Sequence, residues 1–325
     1  MGISVIVPTY NNTKYLEECI NSIYASAKER DYELLIGIDA CEKTLEYIKT
    51  LKLNSKTKVF FFQKNGGPYL IKNTLTKVSK FDKVLFFDSD DVMRDIMIPI
   101  IEDGLDKFLV VRPKMSNFKT IKDMNKEDKS RRIWGEGVFG IKKDLFLGLN
   151  GFEGWRVAAD SDFLARLNRN RAKIWSTNDT LFYRRVHPES LTMALETGFR
   201  SNMRMEYAKI SKNKTYFGPL SSLATSDYLE LDLQNVYDVN YNELIIKDED
   251  YRKSVEYKEK KKIISNILNN ENIKPKFTSV NKPDYDKINK TLIQRQNIKS
   301  NVMRVEEKFQ KGLRNKTIII DRYKR

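Results

Sequence analysis

The chain has 325 residues, of which 40% are hydrophobic and 32% charged, and its formal net charge is +15. This length suits about two domains, and the apolar content excludes a disordered chain, so we expect a folded protein with a large core. No apolar run approaches the roughly 20 residues that span a bilayer, and two cysteines with a single histidine exclude a disulfide framework and the usual Cys/His zinc site.

The first hundred residues alternate short β-rich runs with longer helical patterns. Each predicted strand is followed by a turn and a helix, which indicates a mostly parallel α/β sheet flanked by helices. We expect Asn12 or Thr13 to cap the first helix. The predicted strands cover residues 3–7, 34–39, 59–62 and 84–87. The first predicted helix has Leu16, Ile20 and Ile23 on its apolar face, the second includes residues 45–51, and the third runs through Leu70 and Leu75.

The pattern is less regular after the fourth strand. Residues 113–132 are polar, and we expect a mobile loop there that covers the ligand pocket. The remaining predictions are a glycine-rich segment at 134–141, a helix at 159–168, a strand at 180–186 and a helix at 201–210.

Positive charge is concentrated near the C-terminus. Residues 251–325 hold 21 of the 59 Lys/Arg and 8 of the 44 Asp/Glu, which leaves 38 and 36 for residues 1–250. We therefore predict a nearly neutral first domain, 1–212, and a small, basic, mainly α-helical module, 213–325. Such a module attracts polyanions such as nucleic acid, an anionic membrane surface or an anionic glycan. Codon bias toward Lys, Asn and Ile is the alternative explanation.

Polar clusters recur at the ends of the predicted strands. In parallel α/β sheets ligands bind beyond the carboxyl ends of the strands, so we expect one pocket there. The three aspartates in FFDSDD at 86–91 repel one another, and a hard divalent cation would relieve that repulsion. A helix cap near Asp91 is the alternative. The clusters are 8–12, Asp39, 65–68 and 88–91.

Four motifs follow one another in a fixed order along the first 192 residues. They are VIVPTYN at 5–11 with Asp39 after the second strand, DSDD at 88–91, GFE with DSDF and Arg166 at 151–166, and RRVH with SLT at 184–192. Together these motifs resemble those of the family 2 glycosyltransferases with the GT-A fold. The resemblance covers about three-fifths of the chain.

The resemblance implies an inverting hexosyl- or pentosyltransferase. A nucleoside-diphosphate sugar, most simply a UDP-sugar, would be the donor, and Mn²⁺ or Mg²⁺ the cofactor. Asp160 would be the catalytic base, and Asp90, with Asp88 and His187, would hold the metal. The residues that would contact the donor nucleotide are Pro8, Thr9, Tyr10, Asn11, Asp39, Asn65, Gly67, Lys72, Asp88 and Ser89.

Two positions depart from the family pattern. Ala159 stands where Glu commonly precedes the base, and Lys72 stands where Arg is more usual. A lysine keeps a cation for phosphate but lacks the bidentate fork of a guanidinium. For Asp160 an N-cap role is the alternative. Weaker candidates for acceptor contact are Trp155, Arg166 and Trp134, each of which could instead belong to the core.

Other functional classes fit less well. A dinucleotide-dependent oxidoreductase needs G-x-G-x-x-G after its first strand, and PTYNN at 8–12 has no glycine. A glycoside hydrolase pairs carboxylates but needs no acidic strand end beside phosphate-binding turns. The remaining alternative is a non-catalytic nucleic-acid or polyanion-binding protein on a degenerate transferase scaffold. For an enzyme, the acceptor stays open between a glycan and a hydroxylated DNA base.

The cellular location is predicted from the N-terminus and the cysteines. The chain does not start with basic residues followed by an apolar stretch and a cleavage site, so we expect no secretory signal. Cys19 and Cys41 do not suggest a disulfide framework. We therefore predict a reducing, cytoplasmic location.

Overall fold

The computed structural model describes residues 2–28, 30–124, 134–213 and, as backbone, 228–231. The described elements in chain order are β1 (Ile3–Thr9), α1 (Leu16–Ser26), β2 (Tyr32–Asp39), α2 (Glu42–Lys49), β3 (Thr57–Phe62), α3 (Pro68–Val78), β4 (Lys83–Phe86), β5 (Val92–Met93), α4 (Met97–Gly104), β6 (Val110–Phe118), a 3-10 turn (Ile121–Asp123), β7 (Phe139–Lys142), α5 (Lys143–Gly148), α6 (Ala159–Arg169), β8 (Ile174–Arg185), α7 (Asn202–Asn213) and β9 (Tyr228–Leu231).

The described strands form a single sheet in the order β5-β8-β6-β7-β4-β1-β2-β3-β9. At its centre β3, β2, β1 and β4 pair in parallel, and the intervening helices return the chain to the same end of the sheet. The outer part is mixed: β7 is antiparallel to β4 and β6, β6 is parallel to β8, and β5 and β9 are antiparallel edge strands. The predicted α/β sheet with a parallel core is confirmed.

Helices cover both faces of this sheet. Successive strand residues point to opposite faces, and Ile3, Val5 and Val7 lie in one apolar cluster whereas Ile6 lies in the other. The first cluster contains side chains of α1, α2 and α4, and the second those of α3, α5 and α6. Burial on both faces explains why the central strands are continuously apolar instead of alternating.

The loop predicted at 113–132 is wrong over its first six residues. Residues 113–118 belong to β6, which pairs with β8. The pairing of β6 with β8 shifts register on both sides of Lys114. These shifts interrupt the two-residue alternation of apolar and polar residues by which a strand is predicted from sequence. Residues 125–133 of the predicted loop lie outside the described part.

Other predicted bounds shift by a few residues. The first helix begins at Leu16, and its N-cap is Tyr15 instead of Asn12 or Thr13. Asn12 stabilises the turn before the helix, because its Oδ1 accepts a hydrogen bond from the Tyr15 N–H at 3.1 Å. Strand β8 begins at Ile174, six residues before the predicted start, and β9 was not predicted.

The division at residue 213 stays a prediction. Apart from β9 and Asn213, the last residue of α7, the predicted basic module lies outside the described residues. Among the helices that are described, none combines the length and the hydrophobicity that crossing a membrane requires.

Candidate active site

The loops after β1 and β4 are joined at the carboxyl edge of the sheet. The Asn12 side-chain amide donates to the Ser89 carbonyl at 2.8 Å and to its hydroxyl at 3.1 Å. The Thr9 hydroxyl is buried without a hydrogen-bond partner in the described part, and the Tyr10 ring is 56% exposed. This edge carries the predicted donor contacts Pro8, Thr9, Tyr10, Asn11 and Ser89.

Asp39 connects the end of β2 to the turn before α3. Its two carboxylate oxygens accept the backbone N–H groups of Gly66 at 2.8 Å and Gly67 at 3.0 Å, and the Asn65 side-chain amide donates to its carbonyl at 3.4 Å. Gly67 has a φ of 82°, a conformation that favours glycine. Burial raises the pKa of Asp39, and the two N–H groups partly offset this. Carboxylate oxygens accept more than one hydrogen bond, so Asp39 keeps capacity for a nucleoside.

Asp91 ties the acidic turn to β8. It is buried and accepts the Arg185 N–H at 2.9 Å. Burial and the charges of Asp90 and Asp88 raise the pKa of its carboxyl. No α-helix begins at Asp91, because β5 follows it and α4 starts at Met97. The alternative of a helix cap at this position is therefore wrong.

Arg185 holds the end of β8 against the same turn. Its Nε donates to the Asp90 carbonyl at 2.9 Å, and its Nη2 pairs with Glu18. The guanidinium lies 4.3 Å from the Tyr15 ring centroid and 4.4 Å from that of Phe118, within cation–π range of both. Sequence reasoning assigned no role to Arg185, although it lies inside the RRVH motif.

His187 and Asp90 lie in direct contact. Nε2 of His187 is 2.9 Å from Oδ2 of Asp90, and the Tyr15 ring packs beside the imidazole with centroids 5.1 Å apart. Nδ1 of His187 is buried and has no hydrogen-bond partner among the described residues. The structure thus brings two of the three predicted metal ligands together across 97 positions of sequence.

Asp88, the third predicted ligand, has a different partner. Its Oδ1 lies 2.9 Å from Nζ of Lys72, which is 2% exposed and also donates to the Gly137 carbonyl at 3.0 Å. Across the described residues, no group of three or more His, Cys, Asp or Glu is placed to hold a metal. Asp88 is thus paired with a cation in this structure, and its role as a third metal ligand stays a prediction.

Asp160 shares a small space with that ion pair. It lies in the first turn of α6, after the N-cap residue Ala158, so the N-cap alternative for Asp160 is wrong. A Cβ on Gly137 would lie 3.3 Å from Oδ2 of Asp160, 3.7 Å from Nζ of Lys72 and 3.8 Å from Oδ2 of Asp88. The absence of a side chain at Gly137 thus leaves a space bordered by three charged groups.

The surroundings of Asp160 raise the pKa of its carboxyl above the ordinary value. Burial and the nearby charge of Glu136 raise its pKa, whereas a hydrogen bond from Tyr69 and the charge of Lys72 lower it. Glu136 is also joined to the next residue of α6, because Oγ of Ser161 donates to its Oε2. Sequence reasoning missed Glu136 and Gly137; the glycines at 135 and 137 gave the only local signal of a close approach.

Arg166 is not placed to contact an acceptor. It is 1% exposed, and its Nε donates to Oδ2 of Asp162 at 2.8 Å. Its other two nitrogens donate to the carbonyls of Leu149 at 2.5 Å and Gly151 at 2.6 Å. The side chain therefore fastens α6 to the end of α5.

The two tryptophans also have partners in the fold. Nε1 of Trp134 donates a hydrogen bond to the carbonyl of Thr177 in β8 at 3.2 Å. Trp155 stacks on Tyr207 of α7, with centroids 4.5 Å apart and planes 4° apart. Neither predicted acceptor contact is tested by this arrangement, and both stay predictions.

The parallel α/β centre, with its acidic turn after β4, defines a protein of the GT-A class. Residues 4–151 match the sequence model of the family described as Glycosyl transferase family 2. This part of the chain belongs to that family, and the resemblance found in the motifs is confirmed.

Two curated relatives are enzymes of Staphylococcus aureus. The poly(ribitol-phosphate) beta-N-acetylglucosaminyltransferase TarS of strain Mu50 is 36% identical over 94 residues, 28% of this chain and 16% of TarS. The enzyme of the same description called TarP, from strain N315, is 38% identical over 97 residues, 29% of each chain. The chain thus spans less than a third of the length of these relatives.

A solved structure, that of S. aureus TarS 1-349 in complex with UDP-GlcNAc, is also similar. Its TM-score is 0.48 at 24% sequence identity, and the match covers 58% of this chain and 60% of the TarS chain.

Proposed function

We propose that this chain is an inverting, metal-dependent glycosyltransferase that moves a sugar from a nucleoside-diphosphate sugar, a UDP-sugar, to an acceptor hydroxyl. The observation that carries the proposal is that the Asp160 carboxylate and the Lys72 ammonium border the same space, 3.3 Å and 3.7 Å from the position of a Cβ at Gly137. Membership of residues 4–151 in family 2 supports it.

Asp160 serves as the general base. Its carboxylate takes the proton of the acceptor hydroxyl, whose oxygen bonds to the anomeric carbon of the donor as the bond from that carbon to the diphosphate oxygen breaks. One displacement inverts the configuration once. A carboxyl whose pKa is raised is a stronger base than an ordinary aspartate, which suits this proton transfer.

Lys72 and a divalent cation oppose the charge of the departing diphosphate. The ammonium of Lys72 is fixed by Asp88 and the Gly137 carbonyl, so it needs no reorganisation during the reaction. Asp90 and His187 fit as the two protein ligands of Mn²⁺, because an oxygen and a nitrogen lie 2.9 Å apart there. Mn²⁺ or Mg²⁺, when bound, supplies Lewis-acid stabilisation of phosphate oxygens.

The sugar and the acceptor are proposed from the chemistry of the relatives. TarS and TarP are named as beta-N-acetylglucosaminyltransferases, and one inversion of an alpha-linked nucleotide sugar produces a beta linkage. We therefore propose a UDP-hexose or UDP-N-acetylhexosamine as donor and a glycan as acceptor. The attraction of the basic module to a polyanion and the cytoplasmic location stay predictions.

The test is donor turnover by the purified full chain. We expect Mn²⁺-dependent release of UDP from one member of a panel of radiolabelled nucleotide sugars, measured by chromatography. If no nucleoside-diphosphate sugar is bound or turned over while duplex DNA binds tightly, the proposal is wrong and the non-catalytic alternative holds.

Replacing Asp90 should weaken metal-linked nucleotide binding. In Asp90→Asn the Mn²⁺ concentration that gives half of the UDP-induced rise in Tm should increase, by at least the roughly 10- to 100-fold typical of lost outer-shell partners. Asp95→Asn, an exposed acid after β5, is the matched control and should behave as wild type. Equal Mn²⁺ requirements in Asp90→Asn and wild type would remove Asp90 from the metal site.

Replacing Glu136 should move the pH profile of transfer. The base works deprotonated, so kcat falls as the pH drops below the pKa of Asp160. The charge of Glu136 raises the pKa of Asp160. Glu136→Gln should therefore shift the acidic limb of the plot of kcat against pH to lower pH. Ser161→Ala removes the hydroxyl contact without removing the charge and should keep the wild-type limb. A Glu136→Gln profile that overlays wild type contradicts the prediction.

A further inference from the structure

The loop between α5 and α6 is fixed to the fold at both of its ends. At its start, Phe152 exchanges two hydrogen bonds of 2.8 Å with the buried side-chain amide of Asn73 in α3. At its other end, Val157 and Ala158 are buried. Arg156 lies between these fixed points and is exposed. The backbone therefore holds an exposed arginine at a defined place in the structure.

That place is across Gly67 from Asp39. A Cβ on Gly67 would lie 3.9 Å from Cα of Arg156, and the Gly67 N–H donates to Oδ2 of Asp39 at 3.0 Å. Burial raises the pKa of Asp39, whereas the N–H groups of Gly66 and Gly67 and the charge of Arg156 lower it. Within the described part of the chain, the Arg156 guanidinium makes no hydrogen bond or ion pair, so its N–H groups are available to a ligand.

Asp39 and Arg156 offer opposite hydrogen-bonding groups to such a ligand. Each Asp39 oxygen accepts one backbone N–H and keeps capacity for another hydrogen bond, whereas a guanidinium can only donate. A ligand that satisfies both groups presents an N–H beside a carbonyl oxygen. Uracil has that pair on its Watson–Crick edge, whereas cytosine has a ring-nitrogen acceptor and an amino donor in the same places.

An aromatic surface for a base lies beside Asp39. Strands β1 and β2 pair in parallel with Thr9 opposite Ile38, so Tyr10 and Asp39 follow at the ends of neighbouring strands. The Tyr10 ring is 56% exposed. Every base can stack on an exposed aromatic ring, so stacking adds affinity without selecting a base. Selection therefore depends on the hydrogen-bonding groups around the ring.

We propose that Arg156 determines nucleotide specificity: its guanidinium donates to a carbonyl oxygen of the base of the nucleotide sugar, while Asp39 accepts the neighbouring N–H. The inference rests on the proposed function and adds to it how this chain selects a uridine over a cytidine nucleotide. With cytosine, the amino group would meet the guanidinium and the ring nitrogen would meet the carboxylate. A site built to hydrogen-bond its substrate rejects an analogue that leaves its polar groups unpaired.

The test compares UDP with CDP, which carry the same ribose and diphosphate and differ only in the edge of the base. The Kd of each is measured by isothermal titration calorimetry with the full chain and saturating Mn²⁺. We expect wild type to bind UDP at least about tenfold more tightly than CDP, as for one hydrogen bond to a charged group. Equal binding of the two nucleotides overturns the inference.

Variants of Arg156 show whether this residue makes the selection. Arg156→Met keeps an unbranched side chain without donors, so the ratio of the CDP Kd to the UDP Kd should fall about tenfold. Arg156→Lys keeps a cationic donor and should recover part of that ratio. Arg169→Met removes an exposed arginine of α6 and should keep the wild-type ratio. An equal loss of affinity for both nucleotides in Arg156→Met would be an effect of charge on the diphosphate and overturns the inference.

The outcomes separate the two proposals. If wild type binds no nucleoside diphosphate and turns over no nucleotide sugar, the proposed function fails and this inference fails with it. If UDP binds and the ratio of Kd values is the same in Arg156→Met and wild type, the inference alone is overturned.

Discussion

Asp160→Asn should abolish most sugar transfer while leaving the donor bound. The amide keeps the size of the carboxylate but cannot take a proton from the acceptor hydroxyl, so kcat should fall by about 10²- to 10⁴-fold. Several of the proposed donor contacts lie on other loops, at Asp39 and after β1, and the isosteric amide leaves the neighbouring Lys72 and Asp88 in place, so donor binding should be retained. The measurement is single-turnover transfer with saturating UDP-sugar, together with the Tm shift that UDP and Mn²⁺ produce.

Asp179→Asn is the matched control for this loss. Asp179 is an exposed aspartate in β8 and is not one of the three side chains nearest to Gly137, so its variant should transfer at the wild-type rate. Transfer by Asp160→Asn within a few-fold of wild type would show that another group is the base.

Arg166→Met should cause the largest loss of stability. The substitution leaves the Asp162 carboxylate buried without its cation and removes the donors to the carbonyls of Leu149 and Gly151. Removing one partner of a buried ion pair typically costs about 3–5 kcal/mol. The free energy of unfolding, measured with urea and tryptophan fluorescence, should fall by this amount.

Two further variants show whether the unpaired charge is the cause. Arg169→Met changes an exposed arginine in the last turn of the same helix and should cost under about 1 kcal/mol. Adding Asp162→Asn to Arg166→Met removes the uncompensated charge and should recover part of the lost stability. Arg166→Met within about 1 kcal/mol of wild type would contradict this account of the ion pair.

The central strands and helices could be predicted from the sequence because their signals are local. Strand β1 shows a continuous apolar run, and α1 has buried residues at Leu16, Ile20 and Ile23 that follow the helical repeat. Strand β6 could not be predicted in this way, because its shifts of register around Lys114 remove the two-residue period. Strand β9 is four residues long and pairs at an edge of the sheet, so its local signal is weak.

The candidate site could be predicted in part. Motif resemblance pointed to Asp90 and His187, and the structure places them in contact. It also grouped Asp88 with them. Asp88 pairs with Lys72, 16 residues earlier in the chain, and its role as a third metal ligand stays a prediction. Glu136 carries no motif of its own and becomes relevant only because the loop before β7 passes beside α6.

The sequence alone determined the class of fold, the family and the kinds of groups at the strand ends, because hydrophobic periodicity and ordered motifs are properties of neighbouring residues. The tertiary structure decided which of those groups meet. Lys72 reaches the Gly137 carbonyl across 65 positions, and the Asp160 carboxylate is close to both only because α3, the loop before β7 and α6 converge at one edge of the sheet. Burial and like charge then change the pKa of Asp160, and both depend on neighbours that are distant in sequence.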